Sequence, residues 1–307
     1  MKKARIKNYI IQLKLVQFMI KLSQKTQLPG FKNISIYDLL KFIGSSFKKG
    51  KLNLRSAAVS FHFFTALFPG LIFILTLIPY IPIIDFQERL LNDIQLMLPS
   101  NVFQLFEDTL NNLLLHKHHF LLSIGFILSI YYASRGINTL LSAFSDSFQI
   151  KLTRHPIKQR ILSLGLFSII SFLFMISISI SFFSESLLLK IDSDQLDFVF
   201  LILYKIIKWV IILFFMLLAI GILYNYGNTE RKKFKLINAG SSFSTLAIIV
   251  VSKGLAKYFE HFDKYNELYG SIGTLLISLI WINIVSYVLI LGFELYTKTE
   301  KLFSVNA

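Results

Sequence analysis

Residues 201–224 read LILYKIIKWVIILFFMLLAIGILY, and residues 225–235 that follow read NYGNTERKKFK. The first stretch carries no charge after Lys208. Wound as a helix it would extend about 36 Å, enough to cross a hydrocarbon core of about 30 Å. The second places Arg231, Lys232, Lys233 and Lys235 directly behind it. An apolar segment followed by a basic cluster marks a membrane span that ends on the cytoplasmic side.

Five other stretches meet the same length criterion: Ala58 to Tyr80, Phe120 to Leu141, Arg160 to Phe183, Ile237 to Tyr258 and Ile272 to Leu295. The charges sort around them. The segment before the first span, 1–57, holds 13 Lys+Arg and a single acid, Asp38. The second loop carries Lys151, Arg154, Lys158 and Arg160, whereas the first, third and fifth loops have only Arg89, Lys117, Lys190 and Lys264 between them. Retention of Lys and Arg on the inside puts both termini in the cytoplasm. Twelve of the 17 acids fall in the odd loops, which agrees with that orientation. The expected fold is all-α: a polytopic membrane protein with six transmembrane helices, N-in/C-in, with amphipathic interfacial helices at the N-terminus and in the first outer loop.

Composition supports this class. The 307 residues are 54% hydrophobic with a mean hydropathy of +0.63, above the roughly 45–50% apolar share of soluble domains. There is no cysteine, which excludes disulfides, thiolate metal sites and cysteine nucleophiles. The segment 1–57 lacks the short apolar core and small-residue cleavage site of a signal peptide, so the N-terminus is expected to be retained. The net charge of +15 is explained by its placement around the spans, so no nucleic-acid partner is expected.

The chain divides into a basic interfacial region at 1–50, a membrane domain at 51–300 and a short tail at 301–307. In the first region Ile6, Tyr9, Ile10, Leu13, Val16 and Ile20 recur at helical spacing beside Lys7, Lys14 and Lys21. This suits a helix on an anionic inner leaflet, or one packed under the bundle. A second short helix begins at Ser35, with Asp38 as capping-box partner. The outer loop carries an amphipathic hairpin at 85–117: Leu90, Leu91, Ile94 and Leu98, then Val102, Leu105, Phe106, Leu110 and Leu113. Pro99 separates the halves, and Asn101 and Gln104 are placed to cap the second.

Charges within a span cost about 2.5–3.5 kcal/mol near its centre. Lys205, Lys208, Lys253 and Lys257 lie near outer helix ends and can snorkel. Arg135 lies about 9 Å before the inner end of the second span. His62 and Glu294 share the cytoplasmic third with it. The three could hold an anionic headgroup or relay a proton, or Arg135 and Glu294 could form a structural pair that fixes helix register. Ser177, Ser181 and Ser184 form one face of the third span, and Pro69-Gly70 is expected to interrupt the first. Ser123-Ile124-Gly125 and Ser271-Ile272-Gly273 open the second and sixth spans alike, a match too short to establish a repeat. There is no phosphate-binding G-x-x-x-x-G-K-[ST] loop, and His116-Lys117-His118-His119 lacks acidic ligands for a hydrolytic metal. No cofactor is expected.

Several residues resemble a known family. Tyr258, Tyr265, Tyr269-Gly270-Ser271-Ile272-Gly273, Trp281 and Gly292-Phe293-Glu294-Leu295 are similar to the C-terminal signature of the YihY/BrkB family of bacterial inner-membrane proteins. Ala57-Ala58, Phe61, Phe68-Pro69, Ser134, Gly136, Tyr224 and Gly227-Asn228 extend the resemblance over roughly residues 45–300. The chain has Tyr296 where the family often has Asn, and Gly227 where it often has Pro. The resemblance implies a membrane protein formerly labelled ribonuclease BN, with members linked to serum resistance or suspected of moving lipids or ions. A nuclease needs a cytoplasmic metal cluster or acid–base pair, which these loops lack, so no enzyme is expected. The remaining readings are a carrier of an anionic amphiphile such as a phospholipid or lipid-linked precursor, a cation/proton exchanger, and a non-transporting assembly partner.

Overall fold

The computed structural model describes residues 51–80, 100–147, 155–188, 198–229, 234–260 and 263–305, with Gly44, Gln87, Leu91 and Gln95 as isolated positions. The N-terminal amphipathic helices and the first half of the outer hairpin lie outside the described residues. Those residues form seven helices: α1 (Lys51–Leu77), α2 (Ser100–Leu115), α3 (His119–Ser147), α4 (Pro156–Leu188), α5 (Phe198–Gly227), α6 (Ala239–Glu260) and α7 (Asp263–Val305). A 3₁₀ turn, Ile78–Tyr80, follows α1. Six of the seven, all but α2, are long and apolar enough to cross a membrane.

The helices outrun the apolar stretches that announce them. α1 starts at Lys51, well before Ala58, and α7 takes in most of the fifth loop and residues 301–305, where the sequence suggests a tail. Backbone hydrogen bonding does not stop where hydrocarbon stops; polar side chains carry a helix into the headgroup layer and water. α1 also runs without a break through Pro69, contrary to the expected interruption. Proline removes one donor, and spanning helices tolerate the loss by local adjustment.

α1, α3, α4, α5, α6 and α7 close a ring: each packs on the next, and α7 returns to α1. Neighbours run antiparallel. Asn138 on α3 faces Ser163 on α4, Tyr224 on α5 faces Ser244 on α6, and Ser252 on α6 faces Trp281 on α7. The buried apolar core gathers at the end of the ring where α1 begins. It comprises Leu52 and Val59 with Ile137, Leu140, Leu141 and Phe144, then Leu166, Ile220, Leu223, Tyr224, Ile290 and Phe293. Towards the other end large apolar side chains are uncovered, among them Leu71, Phe126, Met175 and Trp209. There α2 packs on α1 and the 3₁₀ turn, with Leu114 fully buried.

Candidate functional site

The α1–α3 pair brings His62 and Arg135 together. A Cβ at Gly136 would lie 3.0 Å from the Phe63 ring, and one at Gly125 would lie 3.1 Å from the backbone nitrogen of Phe73. Contacts this close are ones that glycine, with no Cβ, allows. His62 precedes Phe63 and Arg135 precedes Gly136, so the two side chains come alongside, and Arg135 acts electrostatically on His62. Arg135 is exposed although it lies well inside a span. Ile137, Leu140 and Phe144 mark the core stripe of α3. At about 100° per residue Arg135 sits about 200° from Ile137, on the face turned to the bilayer.

A second arginine approaches from α4. Arg160 donates from Nη2 to the Tyr131 carbonyl oxygen at 3.2 Å and lays its guanidinium 4.8 Å from the Tyr131 ring centre. Its neighbour Gln159 donates to the Asn138 carbonyl oxygen at 3.5 Å and to Ser142 Oγ at 3.0 Å. The contacts of Arg160 are not legible in the sequence, because the charge pattern counts that residue with a loop and its partner is remote along the chain, on another helix.

Glu294 has different surroundings. It is 7% exposed, on a helix whose Ser286, Thr297 and Thr299 are buried too, and acts electrostatically on Tyr287. Near Glu294, α6 and α7 touch through their backbones. A Cβ at Gly240 would collide with the Gly292 carbonyl oxygen, and a Cβ at Gly292 would collide with Ser244 Oγ. Gly240 and Ser244, four apart, form a small-residue stripe of the kind that lets membrane helices close up. Tyr224 then reaches across, its hydroxyl 2.6 Å from Ser244 Oγ and donating to the Leu289 carbonyl oxygen at 2.8 Å. Beside this contact Phe144 stacks on Phe293, ring centres 4.1 Å apart at 11°, with Tyr224 edge-on to both. These rings meet across the ring of helices and seal its core end.

The profile of the virulence factor BrkB family matches residues 43–304. The chain belongs to that family. It is 27% identical over 248 residues to the putative ribonuclease-like protein YfkH of Bacillus subtilis (strain 168), covering 80% of this chain and 90% of the relative. It is also 34% identical over 73 residues to the UPF0761 membrane protein PSHAa0171 of Pseudoalteromonas translucida (strain TAC 125), 24% of each chain. No solved structure matches.

In this BrkB-family chain Gly227 and Tyr296 border the same aromatic cluster. A Cβ at Gly227 would stand 2.7 Å from Phe144 and 3.1 Å from Phe293, so the missing side chain makes room for the stacked pair. Tyr296, fully buried, stacks on Tyr224 at 6.2 Å. Both residues therefore fit the aromatic seal. Of the remaining motif residues, Trp281 donates from Nε1 to Ser252 Oγ at 2.9 Å, and Gly273 is buried in α7. Tyr269 and Gly270 also belong to α7, their side chains outside the described residues. Ser177 is buried; the side chains of Ser181 and Ser184 are outside the described residues.

The histidine cluster disperses. His118 Nε2 lies 3.0 Å from the Asn112 carbonyl oxygen, and His119 Nδ1 lies 2.8 Å from the Tyr80 hydroxyl. Among the described residues no group of three or more His, Asp or Glu gathers as a metal site. Lys117 lies 5.4 Å from the Tyr80 ring and Lys253 lies 5.1 Å from the Trp209 ring, cation–aromatic pairs at the end remote from the core.

Proposed function

We propose that this BrkB-family protein is a carrier of an anionic amphiphile, such as a phospholipid or a lipid-linked precursor, in the bacterial cytoplasmic membrane with both termini in the cytoplasm. Arg135 contacts the headgroup, with His62 beside it; Glu294 is not at that level, since its neighbour Phe293 stacks on Phe144, nine residues and about 13 Å along α3 from Arg135. The observation that carries this reading is the exposure of Arg135 inside a span, beside His62 and on the bilayer-facing side of α3. An arginine there costs about 2.5–3.5 kcal/mol on insertion scales, and an anionic headgroup is the partner that the bilayer itself supplies. A ring packed firmly at one end agrees with a carrier that holds one side shut. The test uses proteoliposomes with a fluorescent anionic phospholipid and an impermeant quencher added outside. Wild type should reduce the protected pool below that of empty vesicles, and R135A should restore it while remaining folded. A wild-type pool equal to that of empty vesicles, or loss of R135A protein from the membrane, would count against the reading.

Glu294 supports a second reading, cation/proton exchange. Its carboxyl is buried within a span, and such a group is a place to store a proton. A pH jump across proteoliposome membranes, with Na⁺ or K⁺ outside, separates the two. Cation-dependent proton flux abolished by E294Q would favour exchange.

A further inference from the structure

We infer that Arg135 and Arg160, with Tyr131 between them, form one phosphate-binding site on the bilayer-facing flank of α3 and α4, and that its ligand is the phosphodiester of an anionic phospholipid. The inference rests on the carrier reading for its ligand class, but it adds a second cation and a geometry. The direction taken by Arg160 decides the case. It lies one turn after Pro156, at the start of a span, where a long basic side chain ordinarily turns back to the headgroups. Instead, the adjacent side chains of Gln159 and Arg160 reach carbonyl oxygens two turns apart on α3, at Asn138 and Tyr131. Two turns of helix carry Arg160 about 10 Å further towards mid-span than its neighbour.

Two contacts hold it there. The Tyr131 ring supports its face at 4.8 Å, and the Tyr131 carbonyl oxygen takes one N–H at 3.2 Å while also accepting from Ser134 Oγ at 2.9 Å. A guanidinium has five N–H donors in a fixed fork, and the Tyr131 carbonyl oxygen takes one of them. Arg135 is one helical turn beyond Tyr131, on the same face of α3. Neither arginine forms an ion pair among the described residues, where the acid–base contact is Lys235 with Glu300 at the end of α7. Two guanidinium groups raise each other's energy unless an anion lies between them, and two forks match a phosphate's several acceptor oxygens. Tyr131 is 45% exposed, so this flank of α3 is open to lipid. The face is turned to the bilayer, which selects a lipid over a soluble phosphate.

Native mass spectrometry of the full chain in detergent, with phosphatidylglycerol added, reads the site. Wild type should retain phosphatidylglycerol at least several-fold more than phosphatidylcholine, and inorganic phosphate should not displace it. R135Q and R160Q should each lower retention several-fold, and K253Q, at the other end of the bundle, should leave it unchanged. A phosphatidylglycerol bearing a photoreactive group near its phosphate should label wild-type peptides containing Tyr131–Arg135 and Arg160, a readout that needs no variant to fold. Equal retention of the two lipids, displacement by inorganic phosphate, or labelling confined to other helices would overturn the site. Retention without lipid movement in vesicles would remove the carrier reading and leave the site standing; movement without retention would do the reverse.

Discussion

At the scale of single residues, the side chains that matter most at the core end are joined across helices by groups that look ordinary in the sequence. Tyr224 is the clearest case. Its hydroxyl ties α5 to α6 through Ser244 and to α7 through the Leu289 carbonyl oxygen. Replacing it with phenylalanine leaves Ser244 with a weaker bond, 3.4 Å to the Val288 carbonyl oxygen. Side-chain hydrogen bonds between membrane helices average about 0.6 kcal/mol, with a maximum of about 1.7 kcal/mol. Y224F should therefore lower the thermal midpoint in detergent by a few degrees without loss of fold, and an unchanged midpoint would show that the bond contributes nothing. The depth of Arg135 is legible in the sequence, because six apolar lengths fix depth. The reach of Arg160 is not, because only the packing of α4 on α3 brings residues 131 and 160 together.

At the scale of elements, the α6–α7 contact is set by two glycines and the α5–α6 connection by two asparagines. Asn225 Nδ2 donates to the Lys235 carbonyl oxygen at 2.6 Å while its Oδ1 accepts from the Lys235 backbone N–H at 3.0 Å, folding the basic loop onto the end of α5. Asn238 and Ser241 then form a reciprocal cap on α6, Oδ1 accepting the Ser241 N–H at 2.9 Å and Ser241 Oγ accepting the Asn238 N–H at 3.1 Å. N238A should destabilise by about 1 kcal/mol, measured as a shift in thermal unfolding. Overfilling the helix contact should cost more. A methyl group added at Gly292 meets Ser244 and Tyr224, so G292A should lose about 1–3 kcal/mol. G70A, whose Cβ would meet nothing within 4 Å, should be close to neutral. Comparable losses from both variants would refute the clamp. The cap can be read from Asn-x-x-Ser at the start of an apolar run. The clamp cannot, since Gly292 gives no sign by itself of what it faces.

For the whole molecule, six spans are legible because length and apolarity suffice to mark them, and the ring they close is not, since which helix neighbours which depends on packing alone. The expected orientation can be tested directly because the chain has no cysteine. K235C, in the basic loop, should react with an impermeant maleimide only after the cells are permeabilised, whereas K117C, exposed at the opposite end, should react in intact cells. The reverse pattern would invert the topology. Lys235 pairs with Glu300 at 3.1 Å on a partly exposed surface, so this ion pair should contribute little to the outcome.

α7 is 43 residues without a break. Such a helix is about 64 Å long, against a hydrocarbon layer of about 30 Å. Even when tilted, it stands clear of the bilayer. The same helix carries Glu294 and the Phe293 ring of the seal near one end, and Asp263 begins it at the other. A rod of this length, held through Gly292 and uncovered at Trp281, joins the seal and the far face in one element. The helix that supplies one ring of the stack is thus the same unbroken element that emerges past the opposite boundary of the hydrocarbon.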